Sequence, residues 1–327
     1  MQKQGEKPTL VSGVRPTGQL HLGNYLGAVK QFVELQNDYR CFFIIVDLHA
    51  LTTPFEPNKL RQNTLEIAAN YIAAGLDPKK VTIFVQSQIS EHAELAWIFD
   101  CITPLGELYR MTQFKEKSDQ HSESINAGLL TYPALMAADI LLYKPDVVPT
   151  GEDQVQHVEL ARVIARKFNN KFGQTFPEPK SILSKALRIK SLTNPEKKMS
   201  KTGDEALLLS DEPDEIARKL KKAVTASDAG GASAGVENLM LMLREFGSKE
   251  QLKTFEAALT DNSIRFSELK EVLAQQIAEY FAPFRQKRKE LLANPDKIVE
   301  ILADGVEKAA QKAQQTMQEV KGKVGLL

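Results

Sequence analysis

The sequence predicts an α/β domain, a parallel sheet covered by helices, followed by an all-helical domain. Two observations predict the first part. Cys41 to Val46 and Val81 to Val85 are continuous apolar, β-rich runs, as in strands buried on both faces. Each is followed by a helical pattern, so the first hundred residues alternate strand and helix, the signature of parallel crossovers. A third observation predicts the second part: beyond about residue 205 β-branched runs become scarce and helical spacing dominates. The expected division is 1–204 and 205–327.

In chain order, Leu10 to Gly13 is a short apolar run ending in turn residues, and Gly13, Pro16 and Gly18 punctuate the next segment. A helix is expected from about Asn24 to Asn37, with Leu26, Val29, Phe32 and Val33 on one side. The strand at Cys41 ends at Asp47-Leu48-His49. Arg61 to Ala74 reads as an amphipathic helix closed by Gly75. The strand at Val81 ends in Gln86-Ser87-Gln88, and Glu91 to Phe99 is helical again. Leu129 to Leu142 is largely apolar and is expected as a buried helix after Pro133. Val147 to Thr150 is β-like, and a helix is expected from about Gln154 to Phe168. From Phe172 to Pro195 the prolines predict turns. Helices are then expected at Glu212 to Val224, Val236 to Phe246, Lys249 to Leu259, Arg265 to Tyr280 and Phe284 to Leu292. A last helix carries Leu302, Val306, Ala309, Ala313, Met317 and Val320 and is expected to pack back on the core. Asp228 to Gly235 reads as a flexible connection.

Lys plus Arg and Asp plus Glu both number 42, so a net basic charge does not point to nucleic acid, although a local basic face is compatible with neutrality. Two cysteines, Cys41 and Cys101, cannot build a four-thiolate metal or iron–sulfur site, and both are expected as buried free thiols. Met1 to Pro8 lacks a signal-peptide apolar run. No segment approaches the roughly 20 apolar residues of a membrane span. The expected location is the cytoplasm.

The most informative stretch is Lys198-Met199-Ser200-Lys201-Thr202, two lysines around a hydroxyl in a polar loop. Both lysines can point at one polyanion if the loop folds over it, with Met199 as an apolar anchor; a solvated lysine cluster is the plainer alternative. Its partner is His21-Leu22-Gly23-Asn24, just before an expected helix start, where a histidine and helix N–H groups can face phosphate. That segment also reads as an ordinary strand–turn–helix junction. Neither Gly-x-Gly-x-x-Gly nor a phosphate-loop motif is present. Asp139 is a carboxylate inside an apolar helix, so it must be paired or used. Gly151-Glu152-Asp153-Gln154 places acidic groups at a strand-to-helix switch, suited to ribose or an ammonium group, or simply to helix capping by Asp153. Lys115 is either a phosphate contact or a surface lysine. His92, His121 and His157 lack metal-ligand spacing and read as structural or surface residues. His49 follows a strand end.

Taken together, these residues resemble the class I aminoacyl-tRNA synthetases over nearly the whole chain. His21 to Asn24 is similar to the family's His-Ile-Gly-His signature, and Lys198 to Thr202 to its Lys-Met-Ser-Lys-Ser signature. Met111 to Lys117, Leu129 to Tyr143 and Gly151 to Gln154 look like the tryptophan branch, bacterial or organellar, rather than the tyrosine branch. The resemblance implies a Rossmann-like catalytic domain and a helical, anticodon-binding domain. It implies that Asp139 accepts the indole N–H of tryptophan, that Met136 lines the indole pocket, and that Tyr132 and Gln154 orient the amino acid. It implies ATP contacts at Arg15, His21, Gly23, Asn24, Gly151, Asp153, Lys198, Met199, Ser200 and Lys201, and a catalytic triphosphate clamp of Lys115, Lys198 and Lys201. Asn24 departs from the terminal histidine of the first signature, Thr202 from the final serine of the second, and Arg15 stands where relatives often carry glutamine. Some relatives hold an iron–sulfur cluster, which two separated cysteines cannot supply.

The implied reaction is attack of the tryptophan carboxylate on the α-phosphorus of Mg2+-ATP, then transfer to the 2′-hydroxyl of the terminal adenosine of tRNA(Trp). The implied assembly is a homodimer. Tyrosine activation on the same fold is the nearest alternative, because a phenol also donates one hydrogen bond to Asp139. Adenylyl transfer without tRNA and a non-catalytic RNA-binding paralogue are the others.

Overall fold

A computed structural model describes residues 7–112, 114, 125–151, 154–183, 188–200, 205–225 and 233–326. Among these residues the centre is a five-stranded, all-parallel sheet in the order β3-β2-β1-β4-β5. The strands are β1 (Thr9–Val14), β2 (Arg40–Ile45), β3 (Thr82–Val85), β4 (Val147–Thr150) and β5 (Lys180–Leu183). The apolar runs are buried on both faces because alternate side chains serve different cores. Leu10, Cys41, Phe43, Ile45, Ile83 and Val85 face one side. Val11, Phe42, Ile44, Val46 and Phe84 face the other.

Helix α1 is continuous through Leu22–Asn24, a wider π-turn at Tyr25–Val29, and Lys30–Leu35. It shares the first core with α2 (Pro57–Ala73). The second core is closed by α3 (Glu91–Asp100), α5 (Ala127–Leu141) and α6 (Val155–Phe172), with the short α4 (Leu105–Tyr109) alongside. Three expectations need correction. Helix α5 begins at Ala127, before Pro133, because the Asn126 side chain caps it by accepting the Leu129 N–H at 3.0 Å. Strand β5 was hidden among prolines; its side chains are mostly exposed, so it lacks an apolar run. Cys41 is buried, and burial pushes its thiol up to about 12, but Cys101 is exposed at the end of α3.

The remaining helices are α7 (Pro213–Lys221), α8 (Ala234–Phe246), α9 (Lys249–Thr260), α10 (Phe266–Tyr280), α11 (Ala282–Ala293) and α12 (Pro295–Val324). Most of the expected flexible connection lies outside the described residues; Gly235 belongs to α8. Among the described residues no helix is long and apolar enough to cross a membrane.

Helix α12 joins the two cores. Ile298 and Leu302 enter the first, and Ala309, Ala313, Met317 and Val320 the second. Between them Gly305 lies on the backbone of the edge strand β3. A Cβ added there would sit 1.9 Å from the Ile83 carbonyl oxygen. The helix therefore crosses the sheet edge where it has no side chain. Gly305→Ala should destabilise the protein by about 3 kcal/mol, despite alanine's better helix propensity. Urea unfolding checks this: the midpoint should fall.

Candidate active site

The chain reverses direction across the sheet at β1: β2 and β3 lie on one side, β4 and β5 on the other. Strands β1 and β4 share the register pair Leu10↔Val147. Beyond it the ends of both strands line a cavity of about 370 Å³, at the switch point where open α/β sheets place their ligands. Its wall includes Arg15, Tyr132, Met136, Asp139, Gly151 and Gln154, six of the expected site residues.

Asp139 is buried and fully engaged on its inner side. Oδ1 accepts from Gln86 Nε2 at 2.6 Å and from His92 Nδ1 at 2.7 Å, and Oδ2 accepts from His49 Nε2 at 2.7 Å. Burial alone would push the carboxyl up; hydrogen bonds from His49 and His92 outweigh it and hold Asp139 below the usual carboxylate range. Gln86 is oriented in turn, because its Oε1 accepts the Leu48 N–H at 3.1 Å. His92 Nε2 lies 2.8 Å from the Tyr143 hydroxyl. Tyr132 Oη meets His157 Nε2 at 2.8 Å across the cavity wall.

Arg15 holds the turn that carries His49: its Nη2 donates to the His49 carbonyl at 3.0 Å and to Thr53 Oγ1 at 3.3 Å. Burial lowers its affinity for the proton. Arg15 Nε and Thr150 Oγ1 are buried, line this cavity wall and have no hydrogen-bond partner among the described residues. Buried polar atoms of that kind call for a partner, and a polar ligand would supply one.

The first signature meets the described part of the second. His21 caps α1: its Nδ1 accepts the Asn24 N–H at 3.3 Å, and Asn24 Oδ1 accepts the His21 N–H at 3.2 Å. Asn24 therefore completes a reciprocal cap. The segment after the lysine loop pairs with this motif through Leu22 N–H to Leu207 O at 2.8 Å and Leu209 N–H to Leu20 O at 2.9 Å. Met199 is buried, and its Cβ would lie 3.6 Å from a Cβ placed on Gly23. Lys198 and Ser200 are exposed, and Ser200 Oγ donates to Glu205 at 2.8 Å. Asp211, ion-paired to buried Lys219 at 2.7 Å, accepts the Leu208 N–H at 2.8 Å and so fixes the loop beyond it. Lys115, Asp153 and Lys201 lie outside the described residues.

Sequence reasoning did not single out Gln86, Tyr143 or Thr150 as site residues; it read His92 and His157 as structural or surface residues, and both are buried and bonded. A signal existed for His92: it shares the apolar face of a short helix with Leu95, Ile98 and Phe99, so it must be buried and partnered.

Comparison with known proteins agrees with this geometry. The model of the family described as tRNA synthetases class I (W and Y) matches residues 3–292. A tryptophan--tRNA ligase of Caldanaerobacter subterraneus is 49% identical, over 97% of this chain and 98% of its own. One from Clostridium tetani is 42% identical, over 99% and 97%. The crystal structure of the Campylobacter jejuni tryptophanyl-tRNA synthetase, complexed with ADP and tryptophan, superposes with a TM-score of 0.87 at 34% identity, over 97% of this chain and 99% of that one. The Mycoplasma pneumoniae tryptophanyl-tRNA synthetase gives 0.84 at 32%, over 98% of both. The chain belongs to the class I tRNA synthetases of the W and Y family, and within it to the tryptophan branch.

Gly23 is where the two signatures touch. A Cβ there would meet the His21 ring at 3.0 and 3.1 Å. Gly23→Ala should leave the fold intact by circular dichroism and displace the histidine ring, with Met199 in ordinary contact. Since misplacement of this size costs about 10- to 100-fold in rate, ATP–pyrophosphate exchange should fall by that factor.

Proposed function

We infer that this chain activates L-tryptophan with ATP and transfers it to the 2′-hydroxyl of the terminal adenosine of tRNA(Trp). The observation that carries the reading is the Asp139 carboxylate, held ionised by His49 and His92 in the wall of a cavity at the sheet's switch point. Such a group suits one ring N–H, and the cavity size suits an indole.

In this reading Asp139 accepts the indole N–H, Met136 lies against the ring, and Tyr132 and Gln154 orient the amino acid. ATP lies between the His21–Asn24 cap and the docked loop, contacted by Arg15, His21, Gly23, Asn24, Met199 and Ser200, with Gly151 and Asp153 on the adenosine. Lys115, Lys198 and Lys201 face the triphosphate. The tryptophan carboxylate attacks the α-phosphorus, the bond to the bridging oxygen breaks, and pyrophosphate leaves. The tRNA hydroxyl then attacks the activated carbonyl and AMP leaves. No protein nucleophile is needed; cations placed where negative charge grows lower the barrier.

In this reading Mg2+ would arrive with ATP and would supply positive charge against the triphosphate. The enzyme acts in the cytoplasm as a homodimer, and residues 205–327 supply the anticodon surface. The dimer is supported by exposed apolar side chains on consecutive helices: Trp97 is 70% exposed on α3, and Leu105 and Tyr109 are 60% and 52% exposed on α4.

Amino-acid-dependent exchange of labelled pyrophosphate into ATP tests the activation step. Tryptophan should support exchange and tyrosine should not; exchange with tyrosine alone would overturn the substrate. Asp139→Asn should cut kcat/KM for tryptophan roughly 100-fold, the scale of a lost hydrogen bond to a charged group. In sedimentation, Trp97→Glu should shift a dimeric protein toward monomer, and a monomeric wild type would sink the dimer reading.

A further inference from the structure

The donors around Asp139 are distributed unevenly. Two of the three, Gln86 and His92, bond to Oδ1, and neither lines the cavity. The third, His49, bonds to Oδ2 and does line it. An ionised carboxylate offers about four acceptor positions. Three are filled by described groups, and the fourth is on Oδ2, the oxygen bonded by the cavity-lining His49. Among the described residues Oδ1 has two donors and Oδ2 one, so Oδ2 has room for one more.

His92 is what makes this asymmetry durable. It comes from the first turn of α3, is wholly buried, and bridges two groups, Asp139 through Nδ1 and Tyr143 through Nε2. Tyr143 follows α5, one turn beyond Asp139. Its ring stacks on Phe42 at 4.8 Å and meets Phe84 at 5.5 Å edge-on, while Phe84 also lies 6.1 Å from the His92 ring. The pair is thus enclosed by aromatic walls from β2 and β3. Burial, with the nearby Asp139 and Glu91 charges, pushes the Tyr143 hydroxyl well up, so it keeps its proton. Asp139 is ionised and can only accept, so the Nδ1 hydrogen of His92 faces it, while the Tyr143 hydroxyl holds the other ring nitrogen, Nε2, at 2.8 Å. Three polar groups buried in such a wall cost more than apolar side chains of the same volume. They stabilise nothing an aliphatic filling would not, apart from the direction of the carboxylate.

We propose that His92, set by Tyr143, is a specificity-determining positioning residue, which turns Oδ2 of Asp139 into the cavity and so lets the site select a substrate ring that bears an N–H donor. This rests on the reading that Asp139 receives the indole N–H.

The test compares L-tryptophan with its sulfur isostere β-(3-benzothienyl)-L-alanine, which has the same bicyclic shape and no ring N–H. The quantity measured is the ratio of their kcat/KM values in ATP–pyrophosphate exchange. The wild-type ratio should be on the order of 100. His92→Leu should lower it at least 10-fold through KM for the amino acid, with KM for ATP unchanged. His92→Asn, whose amide nitrogen can occupy the Nδ1 position, should restore the ratio to within about threefold. His92→Gln, which reaches the Nε2 position instead, should not. Tyr143→Phe removes one oxygen and should give an intermediate ratio; it carries the comparison if His92→Leu fails to fold. The proposal is overturned if folded His92→Leu or Tyr143→Phe keeps the wild-type ratio. It is equally overturned if Asn and Gln behave alike and both raise KM for ATP. A separate outcome identifies failure of the underlying reading: Asp139→Asn keeping the wild-type ratio, or a wild-type ratio near one.

Discussion

A carboxylate buried in an apolar helix must be solvated by the protein itself, and that requirement organises the cavity at the switch point. Asp139 lies in α5, yet its donors come from three other places: His49 from the turn after β2, Gln86 from the end of β3, and His92 from α3. Satisfying one side chain thus fixes the C-terminal ends of two strands against two helices. The supporting bonds continue outward. Asp47 accepts the N–H groups of Leu48 and Ser87, tying the ends of β2 and β3 together, and Arg15 grips the turn at His49 and Thr53. The floor of the cavity is therefore rigid because the charge above it would otherwise be unpaired.

The region where the two signatures meet is built differently. Its elements are held by backbone pairing and one buried ion pair rather than by a polar cluster. The loop at residues 205–211 forms a short ladder with Leu20 to Leu22, and Asp211 with Lys219 secures its far end. Met199 inserts toward Gly23 while the flanking Lys198 and Ser200 remain at the surface. An apolar anchor between exposed polar residues holds the loop on the first signature while Lys198 stays at the surface. The contrast fits the proposed chemistry, in which an amino-acid ring is selected by shape and one hydrogen bond and a triphosphate is met by charges that strengthen as the leaving group departs.

The strands at Cys41 and Val81 were legible because a strand buried on both faces has no polar alternation to obscure it. Strand β5 was not, since Lys180 to Leu183 lies at an edge with mostly exposed side chains. Asp139 announced itself as a charge among apolar residues, but its partners did not. His92 and Tyr143 are ordinary residue types 51 positions apart, and only the packing of α3 against α5 brings them together. The two signatures were legible as motifs. That Asn24 caps His21 reciprocally, and that Gly23 is required by the histidine ring beside it, depends on side-chain placement that spacing alone does not supply.

The C-terminal helices are not appended to the α/β part through a linker of few contacts. Ile216, Leu239, Leu273, Phe281 and Leu291 belong to the same apolar cluster as β1, β2 and β3. Tyr25, in the π-turn of α1, meets the Tyr280 hydroxyl at 2.8 Å and packs edge-on against Phe281 at 5.0 Å. Asn70 of α2 joins Arg288 of α11 to the Gly18 carbonyl, just ahead of the first signature. Helix α12 then continues into the other core past the sheet edge at Gly305. A displacement of α10 or α11 must therefore be felt at both ends of the segment that carries His21. That continuity places the two parts of the chain on one packed body rather than two.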